Sequence, residues 1–327
     1  MDCTSEQPEC GQNEFQRFAA IDIGTVTCRL LVAQCNGVEV RPLAKRAVIT
    51  NLGEEVDATG VLKPEAMERV FSTVRDFLEV IKSFEDNATA MPLVAMATSA
   101  ARDAQNAADF AAGLAAMGIT LSIIPGEKEA ALSFMGASAS FAGQPIIVTD
   151  IGGGSTEVIA GTAGQAPVFA HSFNIGCRRM TERFLSCDPL NAAEVEAARA
   201  WTREQLQPYF QQIQQAGFSG ARIVSVAGTA TSIVSMKECM KVYDPQRVHG
   251  AVVTKDELDQ LFCELSQLSL EQRMHRVGLQ PQRASVINAG LIIQQEVLRA
   301  AGVSSFTASE TDILHGIILN AFASKHA

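Results

Sequence analysis

Hydrophobic residues occur along the chain in two patterns, short apolar runs and longer stretches with helical spacing. Apolar runs at residues 18–24, 28–34 and 38–49 predict three strands near the start of the chain. Asn36 and Gly37 separate the second run from the third, and this pair is typical of a β-hairpin turn. The chain therefore opens with strands joined by tight turns.

Helical spacing first occurs at residues 63–84, where Val70, Val74 and Phe77 recur on one face and Pro64 suits the first turn. Further along, the pattern predicts a strand at 93–97, a helix at 104–117, a strand at 120–124 and a helix from Glu127.

A second round of the same alternation begins at Pro145. It predicts strands at 146–151, 157–160, 167–173, 222–227 and 304–308, and helices at 192–216, 229–241, 255–267, 281–301 and 312–322. Strands that alternate with helices in this way favour an α/β fold with layers around largely parallel strands.

The two halves open with similar segments, which indicates an internal repeat. AIDIGTVTCRLLVA at residues 20–33 aligns with VTDIGGGSTEVIAG at residues 148–161. The alignment pairs Asp22 with Asp150, Gly24 with Gly152, Thr27 with Ser155 and Arg29 with Glu157.

Each repeat contains a glycine turn between two strands, a geometry in which several backbone N–H groups can point at one anion. Two such turns across a cleft would hold a chain of phosphates. We therefore take the following as candidate phosphate ligands: Gly24, Thr25, Thr27, Gly152, Gly153, Gly154, Ser155 and Thr156. Asp22 and Asp150 would repel phosphate directly, so their expected role is to hold Mg²⁺ or its water molecules. A tight hairpin also needs glycine for structural reasons alone.

Three further segments follow predicted strands, where α/β sheets bind ligands. Residues 227–231 open a helix and offer its free N–H groups to an anion. Arg102, in the second segment, is a candidate phosphate clamp, although it could equally pair with Asp103 at the surface. Glu127 and Glu129, in the third, suit the first turn of a helix, and one of them is also a candidate general base.

Composition limits the possible functions. The 327 residues suggest two domains, and the net charge of −10 disfavours binding to nucleic acid or to an anionic membrane. No apolar stretch reaches the length of a membrane span, and the polar first seventeen residues resemble a flexible tail rather than a signal peptide. The eight cysteines form no CxxC pair, which favours reduced thiols. A cytoplasmic location is therefore predicted.

Several motifs together resemble the exopolyphosphatase/guanosine pentaphosphatase family over residues 18 to about 319. They are NLGEEVDATGVL, MATSAARDAQN, IPGEKEA, VTDIGGGSTEV, GCRRMTERF, VAGTATS, YDPQRVHG and TDILHGIIL. The resemblance implies a duplicated actin-like ATPase fold of the acetate kinase, sugar kinase, Hsp70 and actin superfamily. It implies two βββαβαβα-type domains with a cleft between them.

The resemblance also implies roles for individual residues. Glu129 matches the general base that activates water, Glu157 matches a second essential carboxylate, and Arg102 matches an arginine that contacts phosphate. Asp22 and Asp150, with Glu157, match the residues on the metal side, and the implied metal is Mg²⁺ or Mn²⁺.

Three positions depart from the family pattern: two lie near the first expected phosphate loop, and the third lies next to the residue that matches the general base. Val26 stands where the family has asparagine, Asn51 where it often has arginine, and Lys128 where it usually has a second glutamate. Five further side chains could line the path of the substrate chain with positive charge: Arg178, Arg179, Lys241, Arg247 and His249.

The expected domain organisation follows from length and resemblance. Residues 1–17 form the tail, 18–132 form domain I, 309–327 return to complete domain I, and 133–308 form domain II. The chain resembles the short form of the family, without the helical C-terminal part of longer members. A homodimer is compatible with this resemblance.

The leading functional hypothesis is a metal-dependent exopolyphosphatase that removes the terminal phosphate of inorganic polyphosphate. One alternative is removal of the 5′ γ-phosphate of guanosine pentaphosphate at the same site. A sugar or acetate kinase shares the fold, but GEKEA and GGGSTE argue against it. A third alternative is a sensor that binds polyphosphate or an alarmone without turnover, which the Val26 and Lys128 departures motivate.

Overall fold

A computed structural model describes residues 14–85 and 91–326 of the chain. The first strand begins at Gln16, two residues earlier than the apolar pattern predicts, so the end of the expected tail is part of the sheet. The rest of that tail, with Cys3 and Cys10, lies outside the described residues.

The first half of the chain begins with three consecutive strands and continues with alternating helices and strands. In order these are β1 Gln16–Ile23, β2 Thr27–Cys35, β3 Val40–Ile49, α1 Val56–Thr59, α2 Pro64–Lys82, β4 Leu93–Ala97, α3 Ser99–Asp103, α4 Ala107–Ala115, β5 Leu121–Ile123 and α5 Gly126–Ser138.

The second half repeats this opening and adds more helices. In order these are β6 Pro145–Ile151, β7 Thr156–Thr162, β8 Phe169–Phe173, α6 Cys177–Phe184, α7 Ala192–Ile213, β9 Arg222–Val226, α8 Ala227–Lys237, α9 Pro245–Val248, β10 Val252–Thr254, α10 Lys255–Ser266, α11 Leu270–Met274, α12 Ile287–Ala301, β11 Ser305–Ala308 and α13 Ile313–His326. Single turns of other helix types occur at Ala139–Phe141, Gln214–Phe218 and Pro281–Arg283.

The strands form two sheets with matching order. The first sheet runs β3-β2-β1-β4-β5, and the second runs β8-β7-β6-β9-β11 with β10 added at the edge. In both, the hairpin strands are antiparallel and the later strands join in parallel. The expectation of largely parallel sheets is wrong, because each half opens with two hairpins. The predicted α/β class and the duplication are confirmed, because the two halves form sheets of matching strand order.

Some helix boundaries differ from the apolar pattern. The predicted helix at 281–301 is divided into a single 3-10 turn and α12, which begins only at Ile287. The predicted helix at 229–241 ends at Lys237, because Cys239 adopts a positive φ of 47°. The helical spacing of apolar residues continues across both interruptions, so the pattern alone could not locate them.

The last helix, α13, packs against the first sheet although it follows the second sheet in sequence. Its apolar side chains share a core with residues of β1 and β2, among them Phe18, Leu31, Leu314 and Ile318. This packing agrees with a chain that crosses back, while the exact domain boundaries remain a prediction.

Two features of the described residues bear on the composition. Cys28, Cys35 and Cys177 are buried free thiols, whereas Cys187, Cys239 and Cys263 are exposed free thiols. Within residues 14–85 and 91–326, no helix is both long enough and apolar enough to cross a membrane.

Helices α5 and α13 touch through their backbones, at two glycines. A Cβ atom on Gly136 of α5 would lie 1.9 Å from the carbonyl oxygen of Asp312, and one on Gly316 of α13 would lie 1.9 Å from that of Leu132. Both distances are far below van der Waals contact, and both obstacles are backbone atoms. The crossing therefore requires glycine at both positions.

We expect Gly316→Ala to lower the free energy of unfolding by about 3 kcal/mol, because the added methyl group forces the two backbones apart. Chemical denaturation of the purified protein measures this change. Met135→Ala, at an exposed position of α5, serves as the control and should change stability by about 0.5 kcal/mol or less. Equal stability of wild type and Gly316→Ala would contradict the close crossing.

Candidate active site

The two glycine turns have the same backbone geometry. Gly24 N–H donates to the Thr27 carbonyl at 3.0 Å, and Gly152 N–H donates to the Ser155 carbonyl at 3.0 Å. A Cβ atom on either glycine would lie 3.2 Å from that same carbonyl oxygen. The internal repeat seen in the sequence is therefore a repeat of structure.

The turns lie against each other across the two halves of the chain. A Cβ atom on Gly153 would lie 2.6 Å from Cγ2 of Val26, and one on Gly154 would lie 2.8 Å from Oγ1 of Thr25. Val26 is thus a packing residue, and its apolar side chain fills the position where the family pattern has an amide. Glycine in the second turn allows this close approach.

A narrow cleft lies beside the turns, with a volume of about 70 Å³. Most of the predicted site residues line it: Asp22, Gly24, Thr25, Thr27, Glu129, Asp150, Gly152, Gly153, Gly154 and Ser155. Among the described residues, Arg102, Thr156 and Glu157 are not part of this lining.

Two carboxylates face each other across the second hairpin. Asp150 of β6 is paired in register with Glu157 of β7, and both side chains are buried. Ser133 donates to Asp150 at 3.1 Å, and Ser172 donates to Glu157 at 2.7 Å. Burial first and like-charge repulsion second raise the pKa of Glu157 to about 8, and burial raises that of Asp150 to about 6.

Glu129 lies in the first turn of α5 with only 7% of its surface exposed. Its carboxylate accepts a hydrogen bond from Arg102 at 3.3 Å, and Arg102 also donates to the Ile124 carbonyl at 3.1 Å. Burial, and then repulsion from Glu157 and Asp150, hold the pKa of Glu129 well above its ordinary value. A raised pKa suits a group that takes a proton near neutral pH.

The first hairpin carries an ion pair at the corresponding position. Arg29 of β2 is opposite Asp22 of β1 and reaches one of its oxygens at 2.5 Å. The same guanidinium reaches Asp312 at 2.6 Å. Asp22 is therefore neutralised by an arginine, which weakens the expectation that it binds a metal. Sequence reasoning missed Arg29, although its alignment with Glu157 was a signal.

Arg283 is a second cleft arginine that sequence reasoning missed. Its guanidinium donates hydrogen bonds to the Thr27 hydroxyl and to the Gln280 side-chain oxygen, each at 3.0 Å. The same guanidinium packs on the backbone of Gly228. Within the described part of the chain, no carboxylate pairs with it, and burial lowers its pKa. A half-buried cation with no carboxylate partner among the described residues, placed beside the N-terminus of α8, is suited to an anionic ligand.

The side chains of Thr156 and Lys128 both make hydrogen bonds to other parts of the protein. The Thr156 hydroxyl donates to the Ile175 carbonyl at 2.5 Å, so this bond, and not a ligand in the cleft, occupies its proton. Lys128 is exposed and donates to Asn320 at 3.3 Å. Neither side chain is directed at the cleft by these contacts.

A divalent cation needs oxygen donors, and the second hairpin offers two of them. In the described ranges, no group of three or more histidine, cysteine, aspartate or glutamate residues is arranged to hold a metal ion. Asp150 lines the cleft and Glu157 stands opposite it, and no cation forms an ion pair with either within 4.0 Å among the described ion pairs. Two hard oxygen donors fit Mg²⁺, which takes one or two carboxylates and completes its shell with water and substrate phosphates.

Comparisons with known proteins point to one family. The model of the Ppx/GppA phosphatase family matches residues 31–325. "Exopolyphosphatase 2" of Mycobacterium tuberculosis is 36% identical over 321 residues, which cover 93% of this chain and 98% of that protein. A "Bifunctional 3-dehydroquinate synthase/phosphatase" of Fusobacterium nucleatum is 34% identical over 96% of this chain, which corresponds to 48% of that protein.

A solved structure supports the same relationship. The Aquifex aeolicus member of the Ppx/GppA protein family superposes with a TM-score of 0.78 at 26% identity, and the match covers 96% of this chain and all of that one. The likeness extends over both halves of the fold.

Glu157→Gln should change how stability depends on pH. The folded chain keeps the Glu157 proton up to about pH 8, whereas its ordinary pKa is 4.5. The stability contributed by Glu157 is therefore complete below pH 4.5 and is lost as pH rises through 8. Each pH unit in this window lowers the unfolding free energy by about 1.4 kcal/mol.

Chemical denaturation of both proteins between about pH 5 and 8, without divalent cations, tests this expectation. The glutamine variant cannot lose the proton, so it should become the more stable protein toward pH 8. Glu68→Gln, on the exposed face of α2, is the control. Parallel pH profiles for wild type and Glu157→Gln would show that the two buried acids do not interact as described.

Proposed function

The chain belongs to the Ppx/GppA phosphatase family, and from this premise we propose that it is an exopolyphosphatase. It would release the terminal phosphate of inorganic polyphosphate by hydrolysis. The observation that carries the proposal is Glu129, a buried carboxylate of raised pKa on the wall of a cleft formed by two phosphate-type turns. The similarity to an exopolyphosphatase at 36% identity supports the substrate class.

Glu129 would act as the general base. It takes one proton from a water molecule while the water oxygen bonds to the terminal phosphorus and the bridging P–O bond breaks. The products are orthophosphate and a chain shorter by one phosphate, and Glu129 later releases its proton to solvent. Arg102, which contacts Glu129 at 3.3 Å, holds the carboxylate in place.

The remaining phosphates would be held largely by neutral donors. The two turns present backbone N–H groups and the hydroxyls of Thr25, Thr27 and Ser155. Thr229, at the N-terminus of α8, also lines the cleft, and Arg283 adds an unpaired positive charge. Such preorganised donors stabilise the negative charge of the phosphoryl oxygens as it shifts during the reaction.

The fold family implies a divalent cation, and the donors in the second hairpin are suited to one. Asp150 and Glu157 would hold it. When bound, Mg²⁺ would supply positive charge that offsets the phosphate oxygens. Loss of the Glu157 proton would accompany its binding, because a pKa of about 8 keeps this acid protonated near neutral pH, whereas Asp150, with a pKa of about 6, is already mostly ionised there.

Glu129→Gln should lower kcat for polyphosphate by about 10²–10⁴-fold and leave affinity within about threefold, because the amide keeps the shape and cannot take a proton. Phosphate release and direct binding measure the two quantities. Glu127→Gln, on the exposed side of the same helical turn, is the matched control and should retain wild-type turnover.

The outcomes separate the hypotheses left open by the sequence. Release that needs both Mg²⁺ and Glu129 supports the hydrolase. Wild-type protein that binds polyphosphate without release would favour the sensor, and an unchanged rate in Glu129→Gln would assign the base elsewhere.

A second chamber favours guanosine pentaphosphate as a further candidate substrate. It has a volume of about 360 Å³ and shares Arg29, Gly228 and Arg283 with the wall of the cleft. Tyr243 contributes an aromatic ring to it, and its hydroxyl donates to Glu310. An aromatic face next to phosphate contacts is suited to the base of a nucleotide whose phosphates occupy the cleft.

Tyr243→Ala should raise KM for guanosine pentaphosphate about fivefold, because it removes about 1 kcal/mol of ring stacking, and should leave KM for polyphosphate within about twofold. Steady-state assays with both substrates measure this split. Tyr243→Phe keeps the ring and loses the bond to Glu310, so it should retain most of the affinity. An equal effect on both substrates would place no nucleoside in the chamber.

A further inference from the structure

Helix α6 joins the two halves of the molecule through its arginine side chains. Arg179 pairs with Asp57 and, at 2.5 Å, with Asp103, and Arg183 pairs with Asp57 at 2.5 Å. Arg178 donates to the Asn51 side chain at 2.6 Å. We name this set the α6 latch: Arg178, Arg179 and Arg183 of α6, with Asn51, Asp57 and Asp103 of the first half.

On the α6 side, the latch is attached directly to the second glycine turn. The N–H groups of Cys177 and Arg178 donate to the carbonyls of Gly152 and Gly153 at 2.9 and 2.8 Å. Arg179 Nε donates to the Gly154 carbonyl at 2.8 Å. The backbone of the second turn therefore cannot shift without a shift of α6.

On the other side, the latch is attached to the first glycine turn. The N–H group of Asn51 donates to the Val26 carbonyl at 2.9 Å, and that of Gly53 donates to the Thr25 carbonyl at 2.9 Å. The segment from Asn51 then continues into α1, which carries Asp57. Both turns are thus held by the same group of contacts.

The central ion pair is shielded from water. The Arg179 side chain is 11% exposed and that of Asp57 is 14% exposed. All three guanidinium nitrogens of Arg179 donate hydrogen bonds: Nε to the Gly154 carbonyl, and the two terminal nitrogens to Asp57 and Asp103. Partly buried, multidentate pairs of this kind are stronger and more directional than exposed ones.

We propose that the α6 latch sets the separation of the two glycine turns, so that Arg179 and Asp57 are positioning residues for the phosphate chain. The proposal rests on the proposed function only in that both turns hold phosphates. It assigns a role to side chains that were candidates for lining the substrate path. The charge of Arg179 is directed at Asp57 and Asp103, and that of Arg178 is paired with Glu182, so both charges are committed to the protein itself.

The test is a double-mutant cycle of Asp57→Asn, Arg179→Met and the double variant, with tripolyphosphate as the probe in titration calorimetry. Each single variant should weaken tripolyphosphate binding about tenfold, and the double variant should be no weaker than the worse single one, because both changes remove one contact. Arg179→Lys keeps the charge without the fork and should show an intermediate loss. Glu68→Gln, which breaks the exposed pair with Arg75, is the control and should bind as wild type.

A second measurement does not depend on any substrate. Hydrogen exchange of the Cys177 and Asn51 amides should accelerate at least about tenfold in both single variants and remain unchanged in the control. Additive losses of affinity in the cycle, or unchanged exchange at both amides, would overturn the proposal. If the wild type failed to hydrolyse polyphosphate while these amides still responded, the proposed function would fail and the latch would stand.

Discussion

The site depends on the opposition of two acids, Asp150 and Glu157, across the second hairpin. Like charges at directly opposed positions destabilise a sheet, and burial makes the repulsion stronger. The first hairpin avoids this conflict, because Arg29 occupies the position that corresponds to Glu157. In the first copy of the repeat, the charge of the acid is therefore balanced by an arginine of the protein itself. In the other copy, a proton or a cation is needed to offset the charges of the two acids. Glu129 lies within range of the same repulsion.

This asymmetry explains how an acidic chain can handle an anionic substrate. The net charge of −10 would repel a polyphosphate, and most arginines near the cleft are paired with carboxylates. In the proposed function, binding would rely on backbone N–H groups and hydroxyls, which attract phosphate without adding net charge. Arg283 is the exception among the cleft residues described, and it lies between the two cavities. Acidic side chains and neutral candidate phosphate donors therefore line the same cleft.

The sequence predicted the features that depend on local pattern. The two turns, the strands around them and the position of Glu129 at a helix start all follow from neighbouring residues. Contacts between distant residues were not predictable: Arg29 and Asp312 are 283 positions apart, and Arg283 and Thr27 are 256 apart. The Thr156 hydroxyl illustrates a subtler limit. Its residue type suits a phosphate ligand, but its hydroxyl donates to the carbonyl of Ile175, in the segment that follows β8, and only the three-dimensional structure reveals this bond.

The crossing of α5 and α13 has a consequence for the accuracy of the site. Side chains that pack against each other can change rotamer and so leave some freedom between the elements that carry them. At Gly136 and Gly316, peptide groups meet with no side chain between them. Helix α5 carries Glu129 in its first turn, and α13 begins beside Asp312, which holds Arg29. The positions of Glu129, the proposed base, and of Arg29 are therefore fixed relative to each other through rigid peptide planes, and their relative placement is as accurate as that of the backbone itself.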